Sequence, residues 1–172
     1  MNKNSVKSHA KINLNLNITG KNRKFHKLQS IISLISLHDE VTLKQIKYRS
    51  HKILFTGEFS KKISSRNTIH KTLSILDKKK LLKKKYLVSI KKNIPSKSGM
   101  GGGSMNAATL IKILIQKKII KIDKKKLKNL CDSIGQDVKL GFCKNTMYLN
   151  SNNRIKTLNK MTKYFLLLFM PK

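Results

Sequence analysis

One segment of this 172-residue chain constrains its fold more than any other: Ile94 to Asn106, IPSKSGMGGGSMN, which opens without a break into AATLIKILI. Gly99, Gly101, Gly102 and Gly103 let the backbone take positive φ and approach a ligand or another segment closely. The small and apolar residues that follow suit a buried helix. The glycines therefore stand at a helix N-terminus, where the first N–H groups lack partners within the helix and the positive end of its dipole points outward. Tyr86, Val88 and Ile90 alternate just upstream, so the order is strand, glycines, helix: an anion site suited to a di- or triphosphate. No Gly-Lys-Ser/Thr follows, so it is not a Walker A loop, and the spacing is not the GxGxxG of a dinucleotide-binding turn. On composition alone the stretch also reads as a flexible surface loop.

The surrounding pattern predicts an α+β domain with a mixed sheet over residues 1–172. Residues 5–19 read as extended, with Ile12, Leu14, Leu16 and Ile18 on one buried face. Gly20 to Lys24 reads as a polar turn and Ile31 to Leu37 as a short apolar run, with alternation resuming at Val41 and Leu43 after Asp39-Glu40. Ile53 to Phe55 offers another strand. From Asn67, Ile69, Leu73, Leu76 and Leu81 recur at helical spacing. Asp123 predicts the N-cap of a helix carrying Leu127, Leu130, Cys131 and Ile134, which stops at Gly135. Beyond Thr146 the sequence predicts two short strands joined at Ser151-Asn152-Asn153, then an apolar core strand from Tyr164 to Met170. No repeat or internal linker is visible, and Pro171-Lys172 ends the chain abruptly after that strand.

Charge is the next constraint. Lys and Arg total 39 against 7 Asp and Glu, a net charge of +32. Such an excess suits phosphate backbones. However, Arg occurs only at Arg23, Arg49, Arg66 and Arg154, aromatics are 6% and Trp is absent, whereas nucleic-acid surfaces favour Arg and stacking rings. Lys, Asn and Ile, which dominate the chain, are all encoded by A/T-only codons, so an A/T-biased genome accounts for the composition whatever the function. No apolar run approaches the ~20 residues of a membrane-spanning helix, and MNKNSVKSHAK lacks the apolar core of a secretory signal. Cys131 and Cys143 make neither a disulfide framework nor a CxxC pair and are expected reduced and buried. His9, His38, His51 and His70 show no metal-ligand spacing and are expected to be surface or structural residues.

Four segments in order resemble one family, the GHMP small-molecule kinases, and within it the members acting on a cytidine-diphosphate-linked methylerythritol. PSKSGMGGGSMNAA resembles the family's phosphate loop, P-x-G-x-G-L-G-G-G-S-S-N-A-A. Ala10 to Leu16 (AKINLNL) resembles its N-terminal A-K-[IL]-N-L-x-L strand, and Gly20 to Asp39 resembles G-x-R-x-D-G-Y-H-x-L-x-[ST]. Gly135-Gln136-Asp137-Val138 resembles G-[AS]-D-[VI]-P-[FV]-F. The resemblance implies the GHMP kinase N-terminal (ATP-binding) domain, which shares its core with the second domain of ribosomal protein S5.

The activity implied is transfer of the ATP γ-phosphoryl group, with Mg2+, to the 2-hydroxyl of 4-diphosphocytidyl-2-C-methyl-D-erythritol, in the non-mevalonate isoprenoid pathway of a bacterial cytoplasm. By position, Asp137 would be the general base, or else a helix-end carboxylate satisfying backbone donors. Lys11 would sit beside it and favour the developing alkoxide. Pro95, Ser98, Gly99, Met100, Gly101, Gly102, Gly103, Ser104, Met105 and Asn106 would bind ATP. Phe25 and His26 would recognise the cytosine, although alone they read as a core aromatic and a turn histidine. Asn13 would order hydrogen bonds or simply pack, and Ser104 would contact Mg2+ or phosphate, or cap the helix.

The chain also departs from the pattern. Arg23-Lys24 replace Asp-Gly, Ser98 a glycine, Met105 the second serine and Lys139 the proline. The family's C-terminal domain is expected to be absent, which leaves open weak activity, a homodimer, a complementing chain, or a non-catalytic remnant in a reduced genome. Rival readings are another kinase of the family, or a basic RNA-binding module. The RNA reading leaves the glycine loop and Asp137 unexplained. Neither a specific nucleic acid nor a membrane is an expected partner.

Overall fold

A computed structural model of the protein describes residues 5–21, 26–61, 63–144, 146–158 and 165–169. They divide into two compact units, one of Met1–Ala10 with Ser36–Phe142 and one of Lys11–Ile35 with Cys143–Lys172. Strands β1 (Val6–Asn13) and β3 (His26–Ile46), which pair with each other, contribute residues to both.

In the first unit, β4 (Lys52–Thr56) runs parallel to β5 (Lys85–Lys91), and β5 runs antiparallel to the C-terminal part of β3, with Val41 opposite Ile90 and Leu43 opposite Val88. The pairing is thus mixed. Helices α1 (Thr68–Lys78), α2 (Gly102–Gln116) and α3 (Lys124–Ile134) and a 3-10 helix (Val138–Phe142) complete it. Val41, Val88 and Ile90 meet Leu73 and Leu76 of α1, Leu110 and Leu114 of α2, and Leu130 and Ile134 of α3 in one core. Side-chain caps start two helices: Asn67 Oδ1 accepts the N–H of His70 at 2.9 Å, and Asp123 Oδ1 that of Lys126 at 2.8 Å. Gly141 lets the 3-10 helix lie against α2, since a Cβ there would stand 2.4 Å from the Cβ of Ala108.

In the second unit, β2 (Asn17–Lys21) and β6 (Met147–Leu149) each pair antiparallel with the N-terminal part of β3, and β7 (Ile155–Thr157) closes a hairpin with β6.

The structure corrects several expectations. The interrupted reading of 31–43 is replaced by one 21-residue strand, β3, which contains neither Gly nor Pro and passes straight through Asp39-Glu40. The anticipated buried face fails, because Leu14, Leu16 and Ile18 are exposed while Ser8, Ala10 and Lys11 are buried. Polar side chains take over the pairing there: Asn15 Oδ1 accepts the N–H of Ile31 at 2.5 Å and Ser30 Oγ donates to the Asn15 carbonyl at 2.6 Å, so β1 stops at Asn13. Gly20 and Lys21 belong to β2, while 22–24 of the anticipated turn lie outside the described residues. Leu81 follows α1 rather than belonging to it.

The apolar run near the C-terminus is not a core strand over its described part. Residues 165–169 have no strand pairing and are exposed, with Phe165 and Phe169 both above 80%. An apolar run becomes a strand only where a neighbour supplies a ladder and a cover. Tyr164 and Met170 lie outside the described residues. Of the two cysteines, expected to be buried, only Cys131 is; Cys143 is half-buried. Burial first, then the neighbouring Asp132 charge, pushes the Cys131 thiol up to about 11.

Candidate nucleotide site

The glycine stretch builds the N-terminus of α2, in the first unit. Gly99 and Gly101 take positive φ of 74° and 69°, which costs a glycine little. Gly101 is the N-cap residue and no side chain caps the helix, so its first-turn N–H groups are left to water or to a ligand. The next two glycines answer crowding. A Cβ on Gly103 would stand 3.0 Å from Thr68 Oγ1 at the start of α1, and one on Gly102 would stand 3.2 Å from Lys92 Nζ. The starts of α1 and α2 therefore meet, and both point their positive ends into one region.

That region is a cleft of about 450 Å³. Of the set expected to bind ATP, Pro95, Ser98, Gly99, Gly101, Gly102, Gly103, Ser104 and Asn106 line it. So do Lys92, Arg66, Asn67 and Thr68, together with apolar Phe55 and Ile63, none of which the sequence reading assigned to a site. Basic groups, helix starts and an apolar wall together suit a ligand with a polyphosphate and a flat organic part.

Two residues of the anticipated ATP-binding set fall outside the lining. Met105 faces the core at 3% exposure, and its N–H donates to the Gly101 carbonyl. The fourth residue of this helix points inward, while Asn106, next in the chain, is again part of the lining. Met100 does not line the cleft either. Ser104, within the first turn, is not the N-cap that one reading allowed.

Beneath the cleft is a buried carboxylate that periodicity passed over as a break between strands. Asp39 is fully buried. Its Oδ1 accepts the N–H groups of Asn93 and Ile94, each at 2.8 Å. Its Oδ2 accepts Asn106 Nδ2 at 2.7 Å and pairs with the Lys92 ammonium. The Asp39-Glu40 pair inside IISLISLHDEVTL, in a chain with seven acids, was the available signal.

Asp137 lies half-buried in the turn between α3 and the 3-10 helix. That turn abuts α2, since a Cβ on Gly135 would be 3.8 Å from Ser104 Oγ. Lys139, two residues on, is pushed below the ordinary lysine value, first by burial, with Lys128 adding to the effect and Asp132 and Asp137 opposing it.

The other anticipated residues belong to the second unit. Lys11 is buried and its Nζ donates to Asn13 Oδ1 at 2.8 Å, while Asn13 Nδ2 donates to Ser30 Oγ at 2.6 Å. His26 begins β3 with its backbone opposite Lys21. Phe25 lies outside the described residues. Among the described residues no cluster of three or more His, Cys, Asp or Glu could hold a metal, and no helix is long and apolar enough to cross a membrane.

This cleft is cut at the start of a buried helix over a mixed sheet, and residues 67–143 match the sequence family described as GHMP kinases N terminal domain. Within that class the chain resembles 4-diphosphocytidyl-2-C-methyl-D-erythritol kinases. It is 49% identical to that enzyme of Pelagibacter ubique over 172 residues, 99% of this chain and 61% of the relative. It is 30% identical to that of Fusobacterium nucleatum, over 99% of this chain and 59% of the relative. It thus spans about three-fifths of the length of these curated relatives. A crystal structure of 4-(cytidine 5'-diphospho)-2C-methyl-D-erythritol kinase superimposes with a TM-score of 0.72 at 22% identity, over 90% of this chain and 55% of that one, a likeness of fold.

Proposed function

We propose that this chain is the ATP-binding part of a cytoplasmic kinase that phosphorylates the 2-hydroxyl of 4-diphosphocytidyl-2-C-methyl-D-erythritol. The observation that carries the reading is the uncapped start of α2, opening with Lys92 into a cleft of about 450 Å³. The names borne by the relatives supply the acceptor.

Phosphoryl transfer needs little covalent help from protein groups; it needs the phosphates held, their charge offset and the acceptor oxygen aligned. In this reading the first-turn N–H groups of α2 and Lys92 hold the polyphosphate, and the apolar wall of Phe55 and Ile63 takes the base. Asp137 accepts the proton of the acceptor hydroxyl. Lys11 favours the alkoxide as it forms, and Asn13 keeps the Lys11 ammonium in place. Phe25 and His26 recognise the cytosine by stacking and by hydrogen bonding to its edge.

Magnesium fits the donor chemistry of α2. Ser104 supplies a hydroxyl in the first turn, and Asn106 Oδ1 is a buried oxygen without a hydrogen-bond partner among the described atoms. The ion would offset charge on the β- and γ-phosphates.

The test is a phosphoryl-transfer assay of the purified chain with ATP, magnesium and the cytidyl substrate. Turnover is expected, and Asp137→Asn is expected to lower it by roughly 10²–10⁴-fold, the usual worth of a general base, with ATP affinity retained. Wild-type turnover in Asp137→Asn removes that residue from the base role. No transfer by the wild-type chain removes the activity.

A further inference from the structure

Asp39 has four hydrogen-bond donors, and every one belongs to the cleft or leads into it. Lys92 lines the cleft, Asn93 and Ile94 start the segment that becomes the glycine loop, and Asn106 is on the second turn of α2. A carboxylate with no exposure is costly to bury unless charge and hydrogen bonds compensate it fully, and here both oxygens are doubly occupied. Lys92 is 5% exposed as a residue, and its ammonium has three donors to place, of which Asp39 takes one. It lies 3.2 Å from the point where a Gly102 Cβ would stand, beside the N–H groups that open α2.

Resting on the nucleotide reading above, we propose that Asp39 is the positioning residue of this cleft: it acts on a bound polyphosphate through Lys92, whose ammonium it fixes at the first turn of α2. A free lysine side chain spreads over many rotamers, and that freedom must be removed on binding. Pairing with Asp39 removes it before the ligand arrives. The same carboxylate pins the Asn93 and Ile94 amides, so the loop starts from a fixed point, and through Asn106 it ties that point to the helix that receives the phosphates.

A residue that merely held the fold would weaken every ligand of the cleft alike, whereas one acting through Lys92 weakens only what carries phosphate. The test is therefore the ratio of ATP to adenosine affinity, by calorimetry or NMR titration, in wild type, Asp39→Asn, Lys92→Met and the double variant. Asp39→Asn is expected to cut ATP affinity by about tenfold, the scale of one charge-assisted hydrogen bond, while adenosine affinity stays within about twofold. Lys92→Met should do the same, and the double variant should lose no more than either single change, because the two residues act as one unit. The double variant leaves no buried charge without a counter-charge, so its ratio decides the matter if a single variant fails to fold.

Equal losses for ATP and adenosine in Asp39→Asn, an unchanged ratio in the double variant, or losses that add would overturn the proposal. A wild-type chain with no preference for ATP over adenosine overturns the nucleotide reading itself, and the proposal with it.

Discussion

Gly102 shows how tightly single residues are fixed at this site. A Cβ there would meet Lys92 Nζ at 3.2 Å and Ile94 Cγ2 at 3.3 Å, and a valine adds two methyl groups beyond that. Gly102→Val is expected to displace the ammonium and fill space a phosphate needs, lowering ATP affinity by at least the roughly tenfold worth of that contact. Unchanged affinity by calorimetry would refute the loop's role. A second prediction concerns Asp77, which bonds to Lys85 at 2.7 Å and to His51 at 3.2 Å. Partial burial pushes its carboxyl up, but the bonds from Lys85 and His51 outweigh this and hold it below its ordinary 3.8. A carboxyl lowered by folding contributes stability that is complete above the unfolded value and lost as pH falls through the folded one. The Tm difference between wild type and Asp77→Asn should therefore be constant near neutrality and shrink below about pH 3.8. A difference that is unchanged at pH 2 contradicts the assignment. The glycines were legible in the sequence because their spacing carries the backbone requirement. Asp39 was not, because burial of a carboxylate depends on donors from Lys92 to Asn106, and no local period encodes them.

At the scale of elements, the helices were the most readable. Asn67 and Asp123 announce α1 and α3 through side chains that accept from the N–H three residues on, a purely local interaction. Strands were read less well, because their limits depend on partners distant in sequence. β3 continues through Asp39-Glu40 since Glu40 to Ile46 find a ladder on Lys91 to Lys85, and the 165–169 run is no strand since nothing among the described residues pairs with it. The contact of α2 with the 3-10 helix gives a third prediction. Gly141→Ala puts a methyl 2.4 Å from Ala108 Cβ, with backbone behind it, so one of the two elements must shift. Overpacking of this kind costs about 1–3 kcal/mol, read as a lower Tm; a variant as stable as wild type would show that the contact is looser than described. A fourth follows from the burial of Cys131 in α3, whose thiol is pushed up to about 11. At pH 8 it should resist alkylation in the folded chain and react on unfolding, and rapid alkylation of folded Cys131 would contradict its place in the core.

For the molecule as a whole, the order of four short motifs conveyed more than any periodicity. Loop, N-terminal strand and Asp137 turn resemble those of GHMP kinases, and a relative 49% identical over nearly the whole chain carries the same name as the anticipated enzyme. The net charge of +32 conveyed less, because it is spread over nearly every element rather than gathered at one face of the sequence pattern. What binds the account together is the start of α2, where glycine conformations, the meeting of two helix ends, and Lys92 held by Asp39 combine at one cleft. The measurement that tests this most directly is an amide NMR titration of the wild-type chain with a non-hydrolysable ATP analogue. The account predicts that the largest shifts fall on the N–H groups of Gly99 and of Gly101 to Ser104, with Lys92 following. Saturable binding that leaves those glycine amides in place and shifts another surface would contradict it.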